Sequence, residues 1–141
     1  MRAPFVLTDL PIPADPPFSI PTQAGAVTTF EGRVRDNDHG HHVSRLEYSA
    51  YATLAEKEGA KIVAEAILRH GLLAAACVHR VGDLVPGDTA IRVWAVSPHR
   101  LEAFQGCAFI VDEIKARVPI WKRETYVDGR AEWVACNHPP R

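Results

Sequence analysis

Apolar and polar residues alternate from Gly25 to Arg35, with Ala26, Thr28, Phe30 and Val34 on one parity and Thr29, Glu31, Arg33 and Arg35 on the other. That is the period-two pattern of a half-buried strand, and it puts both arginines on one face. A polar loop from Asp36 to His42 follows, and Val43 to Tyr51 resumes as a strand carrying Leu46 and Tyr48. The period then lengthens. Ala55, Ile62, Val63, Ala66, Ile67 and His70 recur at helical steps between a capping-box pattern at Thr53 to Glu56 and Gly71, a natural C-cap. Gly59 is the weak point of this helix.

Ala75 to Val81 and Thr89 to Ser97 are β-rich and joined through Val85-Pro86-Gly87-Asp88, which predicts an antiparallel pair. Ser97-Pro98 opens a second helix, with Ser97 as N-cap and Pro98 in the first position. Leu101, Phe104, Cys107, Ala108, Val111, Ile114 and Val118 form its apolar stripe, and Pro119 closes it. Phe109 and Ile110 lie off that stripe, as on a helix covered on a second side by a subunit interface. Ile120 to Val127 and Arg130 to Val134 flank Asp128-Gly129, a type I′ hairpin signal. Six of the eleven prolines fall in the first 21 residues, so this arm should be extended apart from a short Phe5-Val6-Leu7 strand at a sheet edge. The expected fold is α+β: an antiparallel β-sheet with two main helices packed on it plus a C-terminal β-hairpin.

The 141 residues form one domain, with residues 1–24 as the proline-rich arm and 135–141 as a tail. At 47% hydrophobic and 23% charged residues, the chain has the composition of a globular protein with a real core. A formal charge of -1 removes the electrostatic footprint of a general nucleic-acid binder, so any anion site must be local. The charge-free stretch Gly71 to Val78 is far short of the roughly 20 apolar residues of a membrane span. The N-terminus lacks the apolar core of a secretory signal, making the cytoplasm the expected location. Cys77, Cys107 and Cys136 have no Cys-x-x-Cys spacing and read as reduced thiols.

Lys115 falls between Ala108 and Phe104 on the second helix's apolar stripe. It is either a snorkelling side chain favoured by the helix dipole or an amine in a partly desolvated pocket, fit to act as acid, base or nucleophile. After the helix, strand alternation sends Ile120, Lys122 and Glu124 to one face and Trp121 and Arg123 to the other. Lys122 could then converge with Lys115, each ammonium disfavouring the other's charge, or be a solvated strand residue. His99 and Arg100 occupy a helix first turn, where basic groups oppose the dipole; they mark a bound anion or are a packed His and a surface Arg. Arg33 and Arg35 form a second cationic cluster, or pair with Glu31 and Glu47. His39-Gly40-His41-His42 lacks recognised ligand spacing, so no metal is assigned, and no dinucleotide or phosphate-loop fingerprint calls for a cofactor.

Phe30-Glu-Gly-Arg-Val-Arg35, Leu46-Glu-Tyr, His79-Arg-Val-Gly-Asp-Leu, Pro86-Gly-Asp88, His99-Arg100 with Ala103-Phe104, and Lys115 through Pro119-Ile-Trp-Lys-Arg-Glu124 occur in that order. The set resembles the molybdopterin synthase large (catalytic) subunit family from about Phe30 to Val134. Ser49, where that family commonly has glutamate, Leu54, where it has methionine, and the acidic, His-rich loop depart from its pattern. The resemblance implies an enzyme, a sulfurtransferase of molybdenum cofactor biosynthesis that converts cyclic pyranopterin monophosphate to molybdopterin. It implies that the sulfur arrives as a thiocarboxylate on the C-terminal glycine of a small ubiquitin-like subunit, and that two large subunits form the homodimer core of a heterotetramer. Carried over by position, Lys115 and Lys122 are the catalytic amines. Arg35, His99 and Arg100 form the anion-binding wall, with Arg33, Val34, Arg123 and Glu124 lining the same site. The rival reading is a catalytically silent anion-binding regulatory module of the same fold.

Overall fold

The strand β7 (Thr89–Ser97) is the spine of the first sheet, because Ala90, Ile91 and Val93 to Ser97 are buried whichever face they point to. The computed structural model describes residues 3–135. On one side β7 pairs antiparallel with β2 (Ala26–Arg33), from Ala26 opposite Ser97 to a bulge at Gly32/Arg33. On the other side it pairs antiparallel with β5 (Ala74–Arg80), and β1 (Phe5–Thr8) adds to β5 in parallel, with Phe5 opposite Cys77. The sheet order is β1-β5-β7-β2, so the N-terminal strand is an edge.

A second sheet is built on β4 (His41–Ala50), which pairs with β8 (Ile120–Tyr126) on one edge. Its other edge carries β3 (Asn37–Asp38) and β6 (Gly82–Leu84), and β9 (Ala131–Ala135) extends the sheet beyond β8. Two sheets thus stand where the sequence pattern suggested one. The hairpin turn also differs from the type I′ expectation. Gly129 takes φ 89 and donates to the Tyr126 carbonyl at 3.0 Å, but Asp128 stays at negative φ. The geometry is that of a type I turn closed by a left-handed glycine.

Helices α1 (Ala52–His70) and α2 (Arg100–Arg117) cover one face of the first sheet. Ala55, Ile62, Val63 and Ala66 meet Val93, Ala95, Cys107 and Ile110 in one core. Gly59 permits a close approach: a Cβ there would lie 2.2 Å from Phe5 Cγ, so the residue that weakens the helix locally lets β1 pack against it. Arg117 of α2 joins the two helices through Glu58 and Glu65 of α1, each at 2.7 Å, and pairs within α2 with Glu113 at 3.3 Å. The opposite sheet face is covered by the proline-rich arm. Ile12 and Phe18 pack on Ala76 and Trp94, and Arg92 donates to the carbonyls of Ile12 and Pro13 at 2.8 and 2.7 Å.

Both helix starts differ from expectation. α1 begins at Ala52 with Tyr51 as N-cap and no side-chain cap, so the Thr53–Glu56 box is not formed. α2 begins at Arg100 with His99 as N-cap, while Ser97 remains the last residue of β7 and its hydroxyl donates to the His99 carbonyl. The buried face of α2 is Ala103, Gly106, Cys107, Ile110 and Ile114. Leu101 and Phe104 are each 60% exposed, so the stripe read from large apolar residues is rotated from the true packing face. Phe109 and Ile110 are covered within the chain: Ile110 is fully buried, and Phe109 packs on His70 and Arg69 of α1. No described helix is long and apolar enough to cross a membrane. Cys136 and residues 136–141 of the expected tail lie outside the described residues.

Candidate active site

Between the two sheets, beneath the end of α2, lies a cavity of about 280 Å³ walled by Arg33, Arg35, His79, Lys115 and Lys122, with Tyr48 among its aromatic lining. The end of β2 places the arginines. After the bulge at Gly32/Arg33, the Val34 N–H donates to the Asp88 carbonyl and the Gly87 N–H to the Val34 carbonyl, both at 2.9 Å. This locks Val34 into a small core with Val43, Leu46, Leu84, Ala90 and Tyr126 and leaves its two neighbours exposed at the cavity. Neither arginine has an ion-pair partner among the described residues. Of the two carboxylates offered as alternative partners, Glu31 and Glu47, neither pairs with them, and Glu31 is held by Arg92 at 3.3 Å and by the Thr89 hydroxyl at 2.6 Å.

The two lysines come from either side of the helix stop. α2 ends at Arg117, Val118 is its C-cap, and β8 begins at Ile120, so Lys115 and Lys122 reach one cavity across a short turn. Their surroundings differ. Lys115 is exposed and makes no hydrogen bond or ion pair among the described residues, which fits the snorkelling alternative rather than the desolvated amine. Lys122 is half-buried, and its Nζ lies 3.1 Å from Oε1 of Glu124, a carboxylate only 2% exposed. Ile120 and Glu124 share its inward face, and Trp121 and Arg123 are turned the other way.

His79 is the residue that the sequence reading passed over as a site candidate. It is buried in β5, its ring packs edge-on against Tyr48 at 5.0 Å, and Nδ1 lies 2.7 Å from the Arg80 carbonyl. A carbonyl only accepts, so Nδ1 carries the proton and Nε2 keeps its lone pair. Burial, helped by the Lys115 charge, lowers the imidazole to about 4, so it is a neutral group in a cationic wall. Only its burial singles it out, and a lone histidine in a strand carries no periodic signal.

The other predicted residues lie apart. His99 and Arg100 line a second cavity with Gly25, Pro98, Leu101 and Phe104, and within one chain they do not join the lysines. The Val34 side chain and the exposed Arg123 do not line the lysine cavity. The described cysteines are inert: burial pushes Cys107 up to about 11 and Cys77 further still.

Arg33, Arg35 and the two lysines frame one cationic cavity, and the MoaE protein family matches residues 12–117. The chain belongs to that family. It is 43% identical over 106 residues to the molybdopterin synthase catalytic subunit of Oryza sativa subsp. indica, which covers 75% of this chain and 55% of that protein. It thus spans about half the length of the rice relative. The molybdopterin synthase catalytic subunit of Pyrococcus abyssi is 44% identical over 119 residues, 84% of this chain and 80% of that one. The crystal structure of molybdopterin synthase from Staphylococcus aureus superposes with a TM-score of 0.86 at 34% identity, covering 95% of this chain and 98% of that chain. In this MoaE-family chain the PIWKRE segment is the inner strand of the second sheet, which is why its lysine meets the helix-borne one.

Proposed function

We propose that this chain is the catalytic subunit of a molybdopterin synthase, moving sulfur from a thiocarboxylate on the C-terminal glycine of a small ubiquitin-like partner onto a cyclic pyranopterin monophosphate. The observation that carries the reading is the convergence of Arg33, Arg35, Lys115 and Lys122 on one cavity in a chain of net charge -1. Both the thiocarboxylate and the phosphate are anions, and local positive charge on an otherwise neutral protein suits both. The catalytic-subunit names of the rice and Pyrococcus abyssi relatives support the same conclusion.

The different surroundings of the two lysines support a division of roles. Lys122, paired with buried Glu124, is a fixed cation whose remaining N–H bonds hold the anionic substrate or pass a proton. Lys115, exposed and unpaired among the described residues, is the mobile amine that orients the thiocarboxylate and stabilises charge as sulfur attacks the pterin side chain. Arg33 and Arg35 bind phosphate oxygens. His99 and Arg100 join the anion-binding wall in a homodimer, a second copy covering the exposed Leu101 and Phe104 beside them. Two such chains with two small partners make the heterotetramer. The test is to mix the purified chain with a thiocarboxylated small subunit and pyranopterin and to follow dithiolene product by mass. Product that requires all three components supports the proposal, and none from a folded, partner-binding chain contradicts it.

A further inference from the structure

Behind Lys122, on the side away from the cavity, each oxygen of the Glu124 carboxylate has a different partner. Oε1 faces Lys122 Nζ at 3.1 Å, and Oε2 accepts a hydrogen bond from the Tyr126 hydroxyl at 2.9 Å. Tyr126 is buried and does not line the lysine cavity. Its ring is clamped at the other end of β8 by the His41 ring at 5.6 Å and by the Arg130 guanidinium at 5.3 Å.

We propose that Tyr126 is a positioning residue for the sulfur-transfer site: its hydroxyl fixes the Glu124 carboxylate, which in turn fixes the Lys122 ammonium at the cavity wall. This rests on the sulfur-transfer reading of that cavity. A carboxylate held at one oxygen can rotate, and held at both it cannot, so the tyrosine turns a flexible lysine into a donor of set direction. The hydroxyl keeps its proton, because the Glu124 hydrogen bond, burial and neighbouring carboxylates push Tyr126 up to about 12. The other groups facing Glu124 make the hydroxyl matter more. Glu132 of β9 lies 3.4 Å from the Tyr126 hydroxyl, and Asp38 of β3 meets Glu124 directly, with His39 and Arg35 near Asp38. The cross-strand partner from β4 is the apolar Leu46. Without the hydroxyl, the Oε2 side of Glu124 loses its hydrogen-bond donor, and the carboxylate is held only at Oε1 by Lys122.

The test is Tyr126→Phe, which removes one oxygen and keeps the ring, assayed for kcat and KM with thiocarboxylated partner and pyranopterin beside wild type, Lys122→Ala and Glu124→Gln. The expected result is a folded protein whose kcat falls about threefold to tenfold with little change in KM, because the lysine is less well directed while the substrate is still bound. The effect should vanish when Tyr126→Phe is added to Glu124→Gln, because there the hydroxyl has no carboxylate to hold. A wild-type kcat in Tyr126→Phe, or an equal loss in the Glu124→Gln background, would overturn the proposal. If Lys122→Ala itself kept the wild-type rate, the reading of the cavity would fail instead, and the two failures are told apart in one experiment.

Discussion

The Lys122 ammonium lies 3.1 Å from a Glu124 carboxylate that is 2% exposed, whereas Lys115, in the wall of the same cavity, is exposed. The two lysines should therefore fail differently when truncated. Lys122→Ala leaves a buried carboxylate without its cation and is expected to lower stability by about 1–3 kcal/mol as well as activity. Lys115→Ala is expected to leave the melting temperature within a degree or two of wild type, since exposed side chains contribute little. Thermal melts of the two variants check this, and equal losses would contradict it.

Arg35→Ala should raise the pyranopterin KM roughly tenfold with a smaller effect on kcat, because a guanidinium that binds a phosphate does so in ground state and transition state alike. Steady-state kinetics separate the two. A fall in kcat at constant KM would move Arg35 from substrate binding to transition-state stabilisation.

Much of this site was legible in the sequence because alternation is a strong signal where one face is wet. Arg33 and Arg35 flank a buried Val34, and Lys122 faces inward with Ile120 and Glu124, as the pattern required. The α2 stripe was misread for a physical reason. Its packing face is carried by Ala103, Gly106 and Cys107, and small residues give a weak periodic signal beside the exposed Leu101 and Phe104. Gly106 is needed there, since a Cβ would come within 2.8 Å of Leu72. His99 and Arg100 are separated from Lys115 because they sit at opposite ends of α2, about 15 helical steps from Arg100 to Lys115 at roughly 1.5 Å each, so only a second copy could bring them to the lysine cavity.

His79 should make stability depend on pH. Its imidazole is lowered to about 4 in the folded protein, against about 6.5 in the unfolded chain. Between those values the unfolded state binds more protons, so the stabilisation is complete above pH 6.5 and lost progressively as pH falls toward 4. Chemical denaturation of wild type and His79→Asn across that window checks the claim. The variant is expected to be less stable at neutral pH and to show a flatter dependence; a dependence as steep as wild type would reassign it to other groups.

Transferable sulfur should not reside on this chain. Cys77 and Cys107 are buried thiols held above their ordinary range, with Cys107 at about 11, so neither supplies a thiolate near neutral pH. Replacing Cys77, Cys107 and Cys136 by alanine is expected to leave partner-dependent sulfur transfer largely intact in protein that still folds. A persulfide found on any of them during turnover would point to a cysteine relay.

If sulfur passes to the pterin in the cavity shared by Lys115 and Lys122, single-turnover dithiolene formation by the Lys115→Ala chain must be slowed. Purified variant and wild type, each with thiocarboxylated partner and pyranopterin, are quenched at intervals and the product quantified by mass. The expected result is a rate at least about 100-fold below wild type, with partner binding and thermal stability retained. Wild-type turnover by the folded variant would contradict the account and move the chemistry elsewhere.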